Sequence, residues 1–248
     1  MYHSLSDGQH PDSQYPKYAT RLSVFRDHLK ALLGAGFRLL SLRALLDERA
    51  TNTRVAPKTC ILTFDDGHRS ALEFAGAMED AGVRGTFFLT SDYCRKRTDF
   101  LQPNEITDLA SRGFDFGTHG ASHKPLSSLG RDDLETELAD SKSWLEEILR
   151  HEVSTMSLPA GQGGRAVRAA AFRYGYRIIG NSRETANSDL YTPGEINRFV
   201  ILAGHGPADV LKLASASPAY VWRRRLRAAM IWLPKKILRR QHRTREIA

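Results

Sequence analysis

Short apolar runs alternate with amphipathic stretches along most of the chain. FRLLSL (37–42), TCILTF (59–64), GTFFLT (85–90), FDFGT (114–118), STMSLP (154–159), YRIIGNS (176–182) and RFVIL (198–202) have the length and composition of strands. RLSVFRDHLKALLGAG places Leu22, Phe25, Leu29 and Leu32 on one helical face and stops at Gly34 and Gly36. RDDLETELADSKSWLEEILRH places Leu134, Leu138, Trp144, Leu145 and Ile148 at helical spacing, with acids gathered early where the helix dipole favours them. GRAVRAAAFRYG is a further helix closed by Gly175.

Repeated strand-then-helix order predicts an α/β fold, a mainly parallel sheet with helical crossovers. About seven such units suit a distorted (β/α) barrel better than a short open sheet. In either form, functional groups collect at the C-terminal strand ends. Asp65, Asp66, His119 and Pro159 all stand at such ends. The pattern predicts one domain over residues 1–217 and a separate extension over 218–248.

CILTFDDGHRS (60–70) ends an apolar strand in two adjacent carboxylates and a glycine. Two ionised carboxylates side by side repel unless a cation lies nearby. GTHGASHKPL (117–126) supplies His119 and His123, four apart, so one helical turn would aim both rings the same way. Two histidines and one carboxylate form a common catalytic zinc set with a position left for water. Asp66 is then the candidate ligand, and Asp65 the candidate base. Taken alone, an Asp-Asp-Gly is usually a turn and a His-x3-His usually a surface or core feature. It is their joint occurrence at strand ends that points to a metal.

The 248 residues suffice for one large domain with a real core. Composition is that of a globular protein, 41% hydrophobic and 26% charged. The two cysteines, Cys60 and Cys94, make no disulfide framework. The net charge of +8 is unevenly placed: residues 223–248 hold ten of the 36 Lys and Arg and a single acid, leaving the remainder near neutral. No apolar run reaches membrane-spanning length and no signal segment opens the chain. Those features suggest a cytoplasmic or membrane-peripheral protein, with the brevity of the first strand leaving room for residues upstream.

TFDDG followed by THGASH resembles the NodB-homology polysaccharide deacetylases, carbohydrate esterase family 4, over roughly residues 1–205. MYHSL resembles that family's opening strand end, and MSLPAGQGG resembles the third motif of its Leu-Pro-Gly variant branch. The resemblance implies a NodB-type barrel, a divalent metal that is most commonly zinc, and hydrolysis of an N-acetyl group on an amino-sugar glycan or glycan precursor. Carried over, Asp65 is the general base and Asp66, His119 and His123 are the metal ligands. The Ala160 backbone N–H would hold the oxyanion, and Pro159 and Gly161 would line the substrate.

Three departures from the family pattern accompany it. Ser157 stands where an Arg usually buttresses the catalytic Asp, and Ala160 stands where a Tyr usually lines the substrate. A late Leu-x-His usually supplies the acid for the leaving amine, whereas ILAGHGPADV spaces His205 as Leu-x-x-His. His205 is a candidate for that acid, and His3, in YH beside the expected first strand end, is a candidate for a role in the site. The losses favour a rival reading, a catalytically impaired relative that binds glycan or metal. Retention of Asp65 beside Asp66 argues for the enzyme. A third option keeps the chemistry but acts on another non-peptide C–N bond.

The stretch 218–245 is basic and amphipathic, with Trp222, Leu226, Ala229, Met230, Leu233 and Ile237 at helical spacing and Pro234 set to kink it. It would either dock on the barrel or lie on an anionic membrane surface, the latter as a component of a polysaccharide assembly system. No nucleic-acid partner is expected, since no recognition motif is present and the rest of the chain is slightly acidic.

Overall fold

A computed structural model describes residues 1–51, 55–187, 194–224 and 226. In chain order its elements are β1 (Ser4–Leu5), β2 (Ala19–Thr20), α1 (Leu22–Gly34), β3 (Arg38–Leu40), α2 (Leu42–Thr51), β4 (Thr59–Ile61), β5 (Thr63–Phe64) and α3 (Ala71–Asp80). There follow β6 (Thr86–Leu89), α4 (Ser91–Lys96), α5 (Pro103–Ser111), β7 (Asp115–Thr118), α6 (Arg131–Leu149) and β8 (Thr155–Ser157). The last are α7 (Arg165–Arg173), β9 (Ile178–Gly180), β10 (Gly194–Ile196) and α8 (Pro207–Ala214).

Six strands form one parallel sheet in the order β10-β9-β8-β7-β6-β5. Two further parallel pairs, β1-β2 and β3-β4, stand beside it. The architecture is a distorted (β/α) barrel, as the alternation of strand and helix predicts. The expected strand 59–64 divides at Leu62: its first half pairs with β3 and its second with β6.

The opening residues close the seam. Tyr2 donates its N–H to the Thr63 carbonyl (2.8 Å) and accepts from Asp65 N–H (3.0 Å). On its other side Met1 N reaches the Phe199 carbonyl (2.9 Å) and Met1 O accepts from Ile201 N–H (2.9 Å). RFVIL, expected as a strand, is therefore irregular: its main chain is spent on Met1, and Arg198 turns inward. The strand of that region lies earlier, at β10.

The core explains why these segments are buried. Tyr2, Phe25, Phe64, Phe74 and Phe87 interlock, with the Phe25 and Phe74 ring centroids 4.7 Å apart and nearly perpendicular, and Phe64 and Phe87 4.9 Å apart. Offset and edge-to-face packing suits the ring quadrupoles. On α1 the face read from spacing is the face buried, with Phe25, Leu29 and Leu32 inside. His28 is buried there too, its Nδ1 on the Tyr2 hydroxyl and its Nε2 on the His205 carbonyl. Cys60 and Cys94 are free thiols. Most of the 218–245 stretch, including Ala229, Met230, Leu233 and Ile237, lies outside the described residues.

Candidate active site

Asp65 follows β5 directly, so strand geometry carries its carboxylate into the barrel mouth, where it is buried at 3% exposure. Asp66 then adopts φ +74° and Gly67 φ +86°. Two successive left-handed residues reverse the chain; a short polar side chain tolerates that region better than most. A Cβ at position 67 would stand 2.8 Å from the Leu89 side chain, so the turn requires glycine there.

His119 follows β7, and its Nδ1 lies 3.0 Å from the Ser157 carbonyl. A carbonyl only accepts, so Nδ1 donates and Nε2 of a neutral ring is left as a bare lone pair. That Nε2 lies 3.3 Å from Asp66 Oδ1, and His123 Nε2 lies 3.1 Å from the same oxygen. Asp66 Oδ1 is buried without a well-aligned hydrogen bond. The three ligand atoms lie within 4.8 Å of one another. Lone pairs facing a carboxylate are stable only with a proton or a cation between them. The donor set, two imidazoles and a carboxylate, fits a divalent metal such as zinc.

The two histidines do not share a helical turn. Residues 119–125 form an irregular bend, and His123 sits at φ +61°. Glu137, 8% exposed on α6, holds that bend: its carboxylate accepts Ala121 N–H (2.7 Å), Ser122 N–H (3.0 Å) and the Ser122 hydroxyl. Sequence reading passed over Glu137, whose spacing on an amphipathic helix gives no sign of the role. The His123 ring stacks on Tyr93, with centroids 5.6 Å apart.

Asp65 is held by a group that no motif announced. Arg198 Nη1 donates to Oδ1 (2.7 Å) and Nη2 to Oδ2 (2.9 Å), while Nη2 also reaches the Ser157 hydroxyl (2.6 Å). Ser157 in turn donates to Asp65 Oδ2 (2.9 Å). The guanidinium expected from the Ser157 position thus arrives from the last part of the barrel, and Ser157 bridges the pair. Burial alone would push Asp65 upward; Arg198, with His119 and His3, together outweigh it and bring its pKa to about 2. Asp66 is also held well below the usual carboxylate range, the His119 and His123 rings overcoming its burial. Burial works against charge on His119, yet Asp65 and Asp66 raise it overall.

His3 extends from the seam onto the same wall. Its Nδ1 is buried without a partner, and its ring stacks on Tyr18 at 4.8 Å. Burial lowers its pKa, with Asp66 and Asp65 opposing. Ala160 and Gly161 form a tight left-handed turn after β8, at φ +57° and +64°. Gly161 N–H is spent on the Leu158 carbonyl at 2.8 Å, and a Cβ on Gly161 would run into Ser182.

These groups share one cavity of about 310 Å³, lined by His3, Asp65, Asp66, His119, His123, Ala160 and Gly161 among others. Pro159 is buried behind it and does not line it. His205 is not brought to the site. Its Nδ1 accepts Leu202 N–H (3.2 Å) and its Nε2 faces Arg224 Nη1 (2.7 Å), outside the cavity. Burial and then Arg224 lower its pKa to about 4, the reverse of what a proton donor at neutral pH requires. Among the described residues no helix is long and apolar enough to cross a membrane.

The family model described as "Polysaccharide deacetylase" matches residues 52–179. YxkH of Bacillus subtilis (strain 168), a polysaccharide deacetylase by name, is 24% identical over 179 residues, covering 72% of this chain. The chain spans 61% of the length of that curated relative. Among solved structures, Streptococcus pyogenes deacetylase PplD in complex with acetate superposes with a TM-score of 0.75 at 21% identity, covering 86% of this chain and 96% of that one. The de-N-acetylase from Aggregatibacter actinomycetemcomitans gives 0.76 at 14% identity, covering 86% and 97%. BC0361 from Bacillus cereus gives 0.73 at 20%, covering 86% and 67%. These three likenesses are likenesses of fold.

Proposed function

Since the chain belongs to the polysaccharide deacetylase family, we propose that it is a metal-dependent hydrolase that removes N-acetyl groups from an amino-sugar glycan or glycan precursor. The observation that carries this reading is the convergence of Asp66, His119 and His123 beside an Arg-paired Asp65 in one cavity. Asp66, His119 and His123 would hold the metal, zinc by their chemistry, which supplies Lewis acidity to the acetamide carbonyl and to the attacking water.

The remaining work falls to the chain's own groups. Asp65, kept ionised and oriented by Arg198 and Ser157, takes the water proton. The Ala160 N–H is the backbone donor for the oxygen of the tetrahedral intermediate, and Gly161 shapes the same turn. His3 lines the cavity where His205 does not, and its unpartnered Nδ1 supports a role in contacting the departing amine, with burial opposing charge on the ring. Acetate and a free sugar amine result.

A second reading, a relative that binds glycan or metal without turnover, is favoured by one observation: the expected acid His205 lies outside the cavity. Metal content measured together with acetate release from N-acetylated oligosaccharides separates the two. About one metal per chain, with acetate release lost in Asp65→Asn and His119→Ala, is the result expected of the hydrolase. Metal without acetate from any substrate would point instead to the binder or to action on another C–N bond.

A further inference from the structure

The loop between β1 and β2, residues 6–18, forms the outer wall of the cavity and contributes Asp12, Gln14, Tyr15 and Tyr18 to its lining. Nothing in the proposed chemistry uses it. The large apolar side chains exposed among the described residues are Tyr15, Leu33, Phe172, Trp222 and Leu226, and of these only Tyr15 lines the cavity. Tyr15 is 45% exposed, while the candidate ligand His119 at the floor is 2% exposed. The ring therefore stands at the mouth, one step outside the metal-binding groups.

An exposed tyrosine on a loose loop would carry no argument, but this loop is pinned along its length. Glu73 Oε1 accepts Gln9 N–H (2.8 Å) and His10 N–H (3.0 Å). Asp12 Oδ1 accepts Gln14 N–H (2.7 Å) and Tyr15 N–H (3.2 Å), while Oδ2 accepts the Ser4 hydroxyl (2.6 Å). The Tyr15 carbonyl accepts Tyr18 N–H at 2.9 Å, and Pro16 restricts Tyr15 to an extended backbone. Gln14 Oε1 takes a hydrogen bond from Arg97 (3.1 Å), whose guanidinium also lies over the Tyr93 and Phe100 rings. With the backbone fixed in this way, only the side-chain torsions of Tyr15 remain to be ordered on binding.

We propose that Tyr15 is a stacking platform for the sugar next to the acetylated one, so that this loop makes the enzyme prefer oligosaccharides to a single amino sugar. The inference rests on the deacetylase reading for its substrate class. A cavity of about 310 Å³ stands at the small end of ligand sites and suits about one sugar ring beside the metal-binding groups. A neighbouring ring must then lie at the mouth. Sugars present an apolar face of C–H groups and an edge of hydroxyls. Tyr15 offers the matching aromatic face.

The test uses the full chain loaded with zinc and N-acetylglucosamine oligomers of one to five units, reading both calorimetric affinity and acetate release. Wild type is expected to bind longer oligomers more tightly than the monomer. Tyr15→Ala is expected to abolish that gain, weakening oligomer affinity and raising KM about tenfold, the scale of one aromatic contact. It should leave kcat and monomer binding unchanged, and Tyr15→Phe and Tyr15→Trp should keep the gain. Equal chain-length dependence in wild type and Tyr15→Ala overturns the platform, as does failure of wild type to bind any oligomer. Length-dependent binding lost in Tyr15→Ala, with no acetate from wild type, upholds the platform and overturns the deacetylase reading.

Discussion

Arg198 grips Asp65 with both terminal nitrogens, at 2.7 and 2.9 Å, across 133 residues of sequence. Both side chains are at least 95% buried. Such a pair adds little net stability over an apolar replacement, but removal of one partner strands a buried charge. Arg198→Met should therefore cost about 3–5 kcal/mol in urea unfolding, while Arg198→Lys, which keeps the charge but not the two-pronged grip, should cost less. Wild-type stability in both variants would show that the pair carries no structural weight.

The proposed function divides metal binding and proton transfer between the adjacent Asp66 and Asp65. Asp65→Asn should keep the metal and lower acetate release about 10²–10⁴-fold, the range of a lost general base. Asp66→Asn should lose the metal itself. Metal analysis beside steady-state rates distinguishes the two, and equal metal loss in both would contradict the division of labour.

Glu137 touches no ligand atom, yet it fixes the bend that carries His123. Glu137→Ala should weaken zinc affinity about 10–100-fold, as lost supports of metal ligands do, with Glu137→Gln milder. Competition titration with a chelating dye measures this directly. Unchanged affinity would mean the bend holds its shape unaided.

His205 makes a pH prediction. Its folded pKa is lowered to about 4 from the ordinary imidazole value of 6.5, through burial and then Arg224. A depressed histidine stabilises the fold above its unfolded pKa, and that contribution is lost as pH falls from about 6.5 through about 4. His205→Gln should flatten the decline in stability over that window and leave acetate release at neutral pH near wild type. A collapse of activity in this variant would return His205 to the reaction.

The legible part of the site was its local part. Asp65, Asp66, His119 and His123 sit in two short motifs at strand ends, where the strand fixes direction and the spacing survives translation into space. Arg198 was illegible because its partner lies on the far side of the barrel and no spacing encodes the meeting. The one signal was its position at the head of the apolar run RFVIL, a charge where a buried strand was expected. The same misfit explains why the run is not a strand. Strand β2 is two residues long and carries no pattern, while the equally short β1 was legible only through the resemblance of MYHSL to an opening strand end. The bend at 119–123 was misread as a helical turn because four-residue spacing cannot distinguish a helix from a loop held by Glu137.

The seam has a kinetic consequence. Met1 meets Phe199 and Ile201, and Arg198 meets Asp65, so the barrel closes and the Asp65 carboxylate gains its partner through contacts of high sequence separation. Loop-closure entropy makes such contacts late. On the ribosome, synthesis must pass residue 198 before either can form. In refolding, recovery of helix signal should precede recovery of metal binding, since the pocket is finished by the same event that shuts the barrel.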